Sequence, residues 1–550
     1  MTERHEGGSK NRALRELLSL LNPVHVLGDT SISPGSPCTD SRKLRQGDIF
    51  VALKGSRTDG HKFIGEAVRK GASVIVYDNE KALKEQLAMF EGTAKDALPV
   101  LVRVEDTAKI LPLLTAAYYQ HPSSSLKLIG ITGTNGKTTT SILIQSILSE
   151  AGFSVGRIGT LGYCWGSNHI EAHLTTPDPC ALHGILQQMY KDGVNIAVME
   201  VSSHALHQHR VAGCLYDVAV FTNLSQDHLD YHRTMEEYFR SKLRLFTEYL
   251  KANGIAVVNI DDQWGRKILE HLESKGRNEK IVTYGIESYD AEISAEDVCY
   301  SPDGLEFRIK SSLSTDHDEI NYKVSSGLLG KLNVYNILSA VAATLAFNVP
   351  LESVLKGIEK VRSVDGRLQR IATPNGFSVI VDYAHTPDAM EKALSCVREW
   401  TKGRLIVVFG CGGDRDRTKR PLMAQVASKF ADLIVITSDN PRTEAPERII
   451  EDIIAGMPVT WQKFSADESH FSAPKSKSYT IEVDRRQAIH IAINVARPGD
   501  TVFIGGKGHE TYQIIGQEKI PFDDRLVVKE YLDRCCHLTS ADIRFHKCKE

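Results

Sequence analysis

At 550 residues with 42% hydrophobic and 25% charged content, the chain is globular and too long for one core, so roughly two to four domains are expected. Its 66 basic and 69 acidic residues are interspersed without a long basic block, which removes the electrostatic case for nucleic acid. The apolar runs are strand-sized, short of the ~20 residues a spanning helix needs, and the charged opening MTERHEGGSKNR lacks the apolar stretch of a secretory signal, so a cytoplasmic chain without membrane insertion is expected.

Three segments separate by pattern, and the fold class they predict is α/β in three domains: a small N-terminal one over 1–122, a central P-loop-type parallel sheet over 123–362, and a Rossmann-like one over 363–550. In the first, short strands are predicted at Asp48–Leu53, Ser73–Tyr77 and Val100–Val104, closed by the polar HPSSS at 121–125. In the second, apolar runs at 128–131, 195–199, 217–221 and 255–260 alternate with helix-length stretches. A polar antiparallel excursion follows over about 285–325, and then an alanine-rich helix in GKLNVYNILSAVAATLAF. In the third, strands at Ser378–Val381, Leu405–Phe409, Leu433–Ile436 and Val502–Ile504 run into DYAHTPD, GCGGDRDRTKR, SDNPRTE and GGKGHETYQ. Ligands in open α/β sheets gather beyond the carboxyl ends of the strands, so these loops are expected on one shared edge. No CxxC spacing occurs among the ten cysteines, and Cys535, Cys536, His537, His546 and Cys548 in the tail are not expected to hold a metal.

The stretch LKLIGITGTNGKTTTSILIQSIL is a strand, a glycine turn and a helix in succession. Gly133 and Gly136 let backbone N–H groups face phosphate oxygens, the helix start near Thr138 offers its positive dipole end, and Lys137 adds a mobile charge. Ile131 stands where a strict Walker loop has glycine, so the loop is a shortened variant. Phosphate chemistry needs a cation, and Thr138 and Glu200 are candidate Mg²⁺ ligands. His228 in FTNLSQDHLDYH is a further candidate: taken alone it reads more readily as an ordinary polar loop residue, and its placement beside Glu200 and the loop favours the ligand reading.

GTNGKTT, TTPD, MEVSSHAL, TNLSQDHLDYH, GKLNVYNILSA, VDYAHTPDAM, GCGGDRDRTKRPLM, SDNPRTE and GKGHETYQ occur in that order, and over about residues 38–530 the chain resembles the Mur ligases, which extend the peptidoglycan stem peptide. The resemblance implies an ATP- and Mg²⁺-dependent amide ligation through an acyl phosphate, on UDP-N-acetylmuramoyl-L-alanyl-D-glutamate. It assigns Gly133, Thr134, Asn135, Gly136, Lys137, Thr138 and Thr139 to the ATP phosphates, Asn333 and Asn336 to the neighbourhood of the adenine, and Glu200 and His228 to magnesium. Arg367 matches a linker arginine that reaches the γ-phosphate. Asp365 stands where the usual motif has proline, which implies a less stiff hinge. Lys242 matches a carbamylated lysine, an anion able to hold a second Mg²⁺; from spacing alone it reads as a solvated helix lysine. For the nucleotide-sugar substrate the resemblance points to Ser41, Ser56, Arg57, Thr58, Thr175, Thr176, Ser202, Gln208 and Arg210, with Ser41 open to a loop-capping reading. Leu174 replaces an asparagine found in some relatives, which removes one polar contact.

The amino acid added is readable from local chemistry. Arg442 and Arg415 offer planar forks for a carboxylate, while Glu510, Asp439 and Asn440 accept from an ammonium; Pro441 and Gly506 complete the two loops. That combination fits meso-diaminopimelate, which carries a distal zwitterion, better than lysine, whose terminal ammonium an arginine would oppose. A surface salt bridge from Arg442 to Glu444 or Glu447 is the plain alternative. A lysine-adding or folate-type ligase, and an NTPase switch, are the competing functions. A monomer is the expected state.

Overall fold

The computed structural model describes residues 12–55, 58–88, 98–276, 281–312, 320–464 and 477–545, with backbone alone at 320–321 and from 535. Ser56, Arg57 and the cysteines and histidines of the tail lie outside the described side chains. The chain builds three large sheets. The first has five strands in the order His25–Leu27, Val100–Arg103, Val74–Tyr77, Ile49–Val51, Pro37–Cys38, and all pairs but the first are parallel.

The central sheet has eleven strands. Lys127–Thr132 sits in its middle, between Ile196–Glu200 and Tyr216–Phe221, with Leu250–Asn259 beyond the latter. These strands are parallel and buried on both faces by helices, which is why their sequences read as unbroken apolar runs. The polar excursion is antiparallel: Ile293–Ser301, Gly304–Ser311 and Ile320–Ser326 form a meander at one edge. Lys331–Leu345 then packs as a buried helix against Lys137–Glu150. At the other edge lie Val155–Gly159, Gly162–Trp165 and Asn168–Ile170, three strands the apolar pattern does not predict.

The third sheet orders its strands Gln369–Ile371, Ser378–Asp382, Thr501–Gly505, Leu405–Phe409, Leu433–Ile436, Ser478–Ile481 and Gln462–Lys463, parallel after the first pair. Its carboxyl ends bring DYAHTPD, GCGGDRDRTKR, SDNPRTE and GGKGHETYQ to one edge, facing the central sheet. Two helix starts there are locally coded. Thr386 caps Pro387–Trp400 by accepting from Ala389 N–H, with Pro387 in the first turn, and Ser202 caps Ser203–His207. Among the described residues no helix is long and apolar enough to cross a membrane.

Candidate active site

The phosphate loop runs from strand Lys127–Thr132 into helix Lys137–Glu150. Gly133 has φ 151°, and a Cβ there would lie 1.8 Å from Thr222 Oγ1, so a side chain is excluded. The loop is gripped by the residues after Phe221. Thr134 N–H donates to Asn223 O at 2.8 Å, Asn135 N–H to Asn223 Oδ1 at 3.0 Å, and the Thr222 hydroxyl to Asn135 O at 2.6 Å. Gly136 leads into the helix, with Thr139 buried in its first turn. The Lys137 ammonium is half-buried and donates to the carbonyls of Gly133 and Thr134 at 2.8 and 2.9 Å. Burial lowers its pKa, opposed by Glu200 and reinforced by Arg367. Asn333 and Asn336 are buried behind the loop; Asn336 donates to Asn333 Oδ1 at 2.8 Å and accepts from Thr140 at 3.4 Å. Both asparagines thereby brace the phosphate-loop helix.

Glu200 ends its strand fully buried. Its carboxylate accepts from the Thr138 hydroxyl at 3.0 Å, the Thr160 hydroxyl at 3.0 Å and the Thr160 N–H at 2.9 Å, and no cationic side chain bonds it. A buried carboxylate beside a hydroxyl and the phosphate loop is a hard-oxygen donor set of the kind Mg²⁺ takes together with nucleotide oxygens. Among the described residues no cluster of three His, Cys, Asp or Glu side chains would hold an ion unaided. His228 sits at φ 55° at the start of a short helix, and burial holds its ring at about 4 against the pull of Asp227, so it is a neutral imidazole.

Lys242 is not a solvated helix lysine. It is buried, donates to Gly133 O at 2.8 Å, the same oxygen that Lys137 uses, and lies 4.6 Å from the Tyr238 ring centroid. Burial and the Lys137 charge push its pKa well below the ordinary lysine value. Arg367 approaches the same loop from the linker, donating to Thr138 Oγ1 at 3.4 Å with its guanidinium over Tyr383. The neighbouring hinge residue Asp365 pairs with Arg525 at 3.0 Å.

Between the central and third sheets lies a cavity of about 710 Å³. Thr175, Thr176, Ser202, Arg210 and His228 line it from one side, and Arg415, Asp439, Asn440, Arg442, Gly506 and Glu510 from the other. Thr175 pairs with Thr160 at 3.1 Å, Thr176 donates to Glu200 O at 2.8 Å, and Gln208 holds Arg210 at 2.8 Å. Leu174 also lines the cavity and is exposed. Asp388 bridges the two sides, accepting from Asn135 at 3.3 Å and Ser225 at 2.6 Å.

Ser41 and Thr58 stand apart from this cavity, on the first sheet's unit. The Ser41 hydroxyl donates to Glu66 at 2.9 Å, and Thr58 closes a turn through its carbonyl with Gly55. Asn440 has its amide oxygen fully committed, accepting from Lys507 at 3.1 Å and Ile514 N–H at 2.9 Å, while its NH₂ donates to Glu510 at 2.8 Å. It therefore positions Glu510 and is not itself an open acceptor. Pro441 is buried at the turn into Arg442.

Lys507, which the motif reading passed over, is fully buried between Glu510 at 2.9 Å and Asp439 at 3.7 Å. Two carboxylates around one ammonium leave one negative charge over, which suits an incoming ammonium. The only sequence signal for Lys507 was its place among the glycines of GGKGHE. Tyr383 and His385 of DYAHTPD, also unassigned from sequence, line the same cavity.

Three consecutive parts of the chain match family domains: residues 38–119 the Mur ligase family catalytic domain, 131–344 the Mur ligase middle domain, and 366–508 the Mur ligase glutamate ligase domain. A protein of Geobacter sulfurreducens named UDP-N-acetylmuramoyl-L-alanyl-D-glutamate--2,6-diaminopimelate ligase is 42% identical over 518 residues, covering 93% of this chain and 97% of its own. The protein of the same name from Gloeobacter violaceus is 43% identical over 498 residues, covering 90% and 93%. A solved structure of a ligase of that name superposes with a TM-score of 0.64 at 33% identity, covering 96% of this chain and all of its own. With identity at that level along nearly the whole chain, and the phosphate loop and cleft built as described, the protein belongs to the Mur ligase family.

Proposed function

We propose that the chain joins meso-2,6-diaminopimelate to UDP-N-acetylmuramoyl-L-alanyl-D-glutamate, with ATP converted to ADP and phosphate, in peptidoglycan precursor synthesis. The observation that carries this reading is the single cavity in which hydroxyls and an arginine of the central sheet face the Arg442, Asp439 and Glu510 cluster of the third, with the phosphate loop bonded to its wall through Asp388. In this reading residues 1–122 hold the uridine end through Ser41, Ser56, Arg57 and Thr58, residues 123–362 bind ATP and the peptide end, and residues 363–550 bind the amino acid. All these groups come from one chain, so a monomer in the cytoplasm suffices.

The reaction begins when a carboxylate oxygen of the dipeptide takes the γ-phosphoryl of ATP, breaking its bond to the β-phosphate oxygen and releasing ADP. The amine of diaminopimelate then forms a bond to the acyl carbon, phosphate leaves with the oxygen that took the phosphoryl, the other oxygen stays as the amide carbonyl, and the amine loses a proton. Lys137 and Arg367 neutralise charge on the transferring phosphoryl, and the backbone N–H groups at the start of helix Lys137–Glu150 orient it. Thr175, Thr176, Ser202, Gln208 and Arg210 hold the peptide end. Glu200, Thr138, His228 and Lys242 as its carbamate would hold magnesium, which would supply charge neutralisation to the phosphates. The distal ammonium of diaminopimelate meets Asp439 and Glu510, and its distal carboxylate meets Arg442 and Arg415. Lysine lacks that carboxylate, so it leaves the arginines uncompensated.

Arg442→Ala tests this assignment. The kcat/KM for diaminopimelate is expected to fall by the equivalent of about 2–5 kcal/mol, mainly through KM, as a buried charge pair is lost. The low rate with lysine should hold or improve. Equal losses with both amino acids would mean that Arg442 supports the fold or the acyl phosphate instead.

A further inference from the structure

Arg442 and Glu444 lie two residues apart on one loop, yet they do not pair. Among the described residues the Arg442 guanidinium hydrogen-bonds carbonyl oxygens alone, Gly413 O at 2.8 Å and Asn440 O at 3.4 Å. Its backbone has φ 53° and is pinned to the 512–521 hairpin, donating to Ile514 O at 3.1 Å while its own carbonyl accepts from Gly516 N–H at 2.7 Å. Glu444 sits against the same residue as the Arg442 fork. A Cβ on Gly413 would come within 3.3 Å of Glu444 Cβ and 1.9 Å of Pro441 O, so the two loops touch with no room to spare.

What holds Glu444 away is Arg420, on helix Lys419–Phe430. This guanidinium is fully buried and takes both Glu444 oxygens, NH2 to Oε1 at 2.8 Å and NH1 to Oε2 at 3.0 Å. It also donates to Asp452 at 2.8 Å and to Gly412 O at 3.3 Å. Asp414 N–H adds a bond to Glu444, and the Arg420 contact holds the Glu444 carboxyl down at about 2. The carboxylates of Asp414, Asp416 and Asp452 are also engaged. Asp414 accepts from the Thr443 hydroxyl and N–H, Asp416 accepts from Thr418, and Asp452 is shared with Arg417. Among the described residues Arg442 is thus left without an internal carboxylate partner on the wall of the cavity.

We propose that Arg420 is a positioning residue for amino-acid selection, sequestering the Glu444 carboxylate so that the Arg442 fork stays open for a carboxylate of the substrate. It never touches the amino acid. It acts by removing an internal competitor, since an arginine already paired to a glutamate has little to offer a second carboxylate. The proposal rests on the reading of Arg442 as the distal-carboxylate anchor.

The test uses the full-length enzyme and separate KM values for diaminopimelate, ATP and UDP-N-acetylmuramoyl-L-alanyl-D-glutamate. Arg420→Met frees Glu444 to close on Arg442, so the KM for diaminopimelate should rise about tenfold or more, while the other two stay within about twofold. Adding Glu444→Gln to Arg420→Met neutralises the competitor and should bring the KM back to within about threefold of native. A merely structural role predicts equal damage to all three KM values and no rescue, and that result overturns the proposal. If Arg420→Met does not fold, Glu444→Gln alone decides. An amino-acid KM within about threefold of native supports sequestration, and a rise matching that of Arg442→Ala refutes it. Arg442→Ala run alongside separates the two levels. No selective loss there overturns the substrate reading, whereas selective loss there with an unchanged Arg420→Met overturns the clamp alone.

Discussion

Lys137→Ala should lower kcat by about 10³-fold or more, because stabilising charge on the transferring phosphoryl is most of what the protein contributes to that step. The lysine stands at the first position of its helix, and its ammonium reaches the carbonyls of Gly133 and Thr134. It is therefore within one loop's reach of the phosphates that the backbone N–H groups would cradle. Although a lysine in a glycine loop reads as exposed from sequence, this one is half-buried and bonded to two adjacent carbonyls at the start of the turn. The variant therefore also loses two charge-assisted bonds, each worth about 1.5–3 kcal/mol to local order. Single-turnover phosphate release separates the two effects. A loosened loop weakens ATP binding, whereas loss of the catalytic charge persists at saturating ATP. Near-native turnover at saturation would remove Lys137 from the mechanism.

Lys242→Ala should be inactive. Two lysines donate to the Gly133 carbonyl, each at 2.8 Å, and two ammonium groups on one buried oxygen repel each other. Addition of CO₂ to the Lys242 amine forms an N–C bond, releases one proton and leaves a carbamate anion. The repulsion with Lys137 would then become an attraction, and a cation would gain an oxygen ligand. A short carboxylic acid should partly rescue the alanine variant by occupying the vacated anion site, and Lys242→Glu should keep residual activity. Fully active native enzyme whose intact mass lacks the CO₂ increment would exclude the modification.

The parallel strands were legible because burial on both faces makes an unbroken apolar run, as at Leu405–Phe409 and Leu433–Ile436. Val155–Gly159 was not, since two glycines and an arginine interrupt it; it is a strand through its pairing with Ile196–Glu200. Leu250–Asn259 begins five residues before the run read at 255, because the half-buried Lys251 and the exposed Ala252 and Asn253 interrupt the apolar pattern after the buried Leu250. The phosphate loop was visible as chemistry, glycine, lysine and threonine in fixed order. The partners of its neighbours were not. Nothing in GGKGHE says that Lys507 turns inward to share Asp439 and Glu510, and nothing in DNPRTE says that Glu444 turns from Arg442 to Arg420. Both depend on elements far apart in sequence.

The most direct test is phosphate release by the purified chain with ATP, Mg²⁺ and UDP-N-acetylmuramoyl-L-alanyl-D-glutamate, supplied in turn with diaminopimelate, lysine, ornithine or glutamate. Release should require the nucleotide-sugar dipeptide and an amino acid together, proceed well above the rest with diaminopimelate, and yield the tripeptide in equal amount. Phosphate release without any amino acid, or a faster reaction with lysine or glutamate, would contradict it.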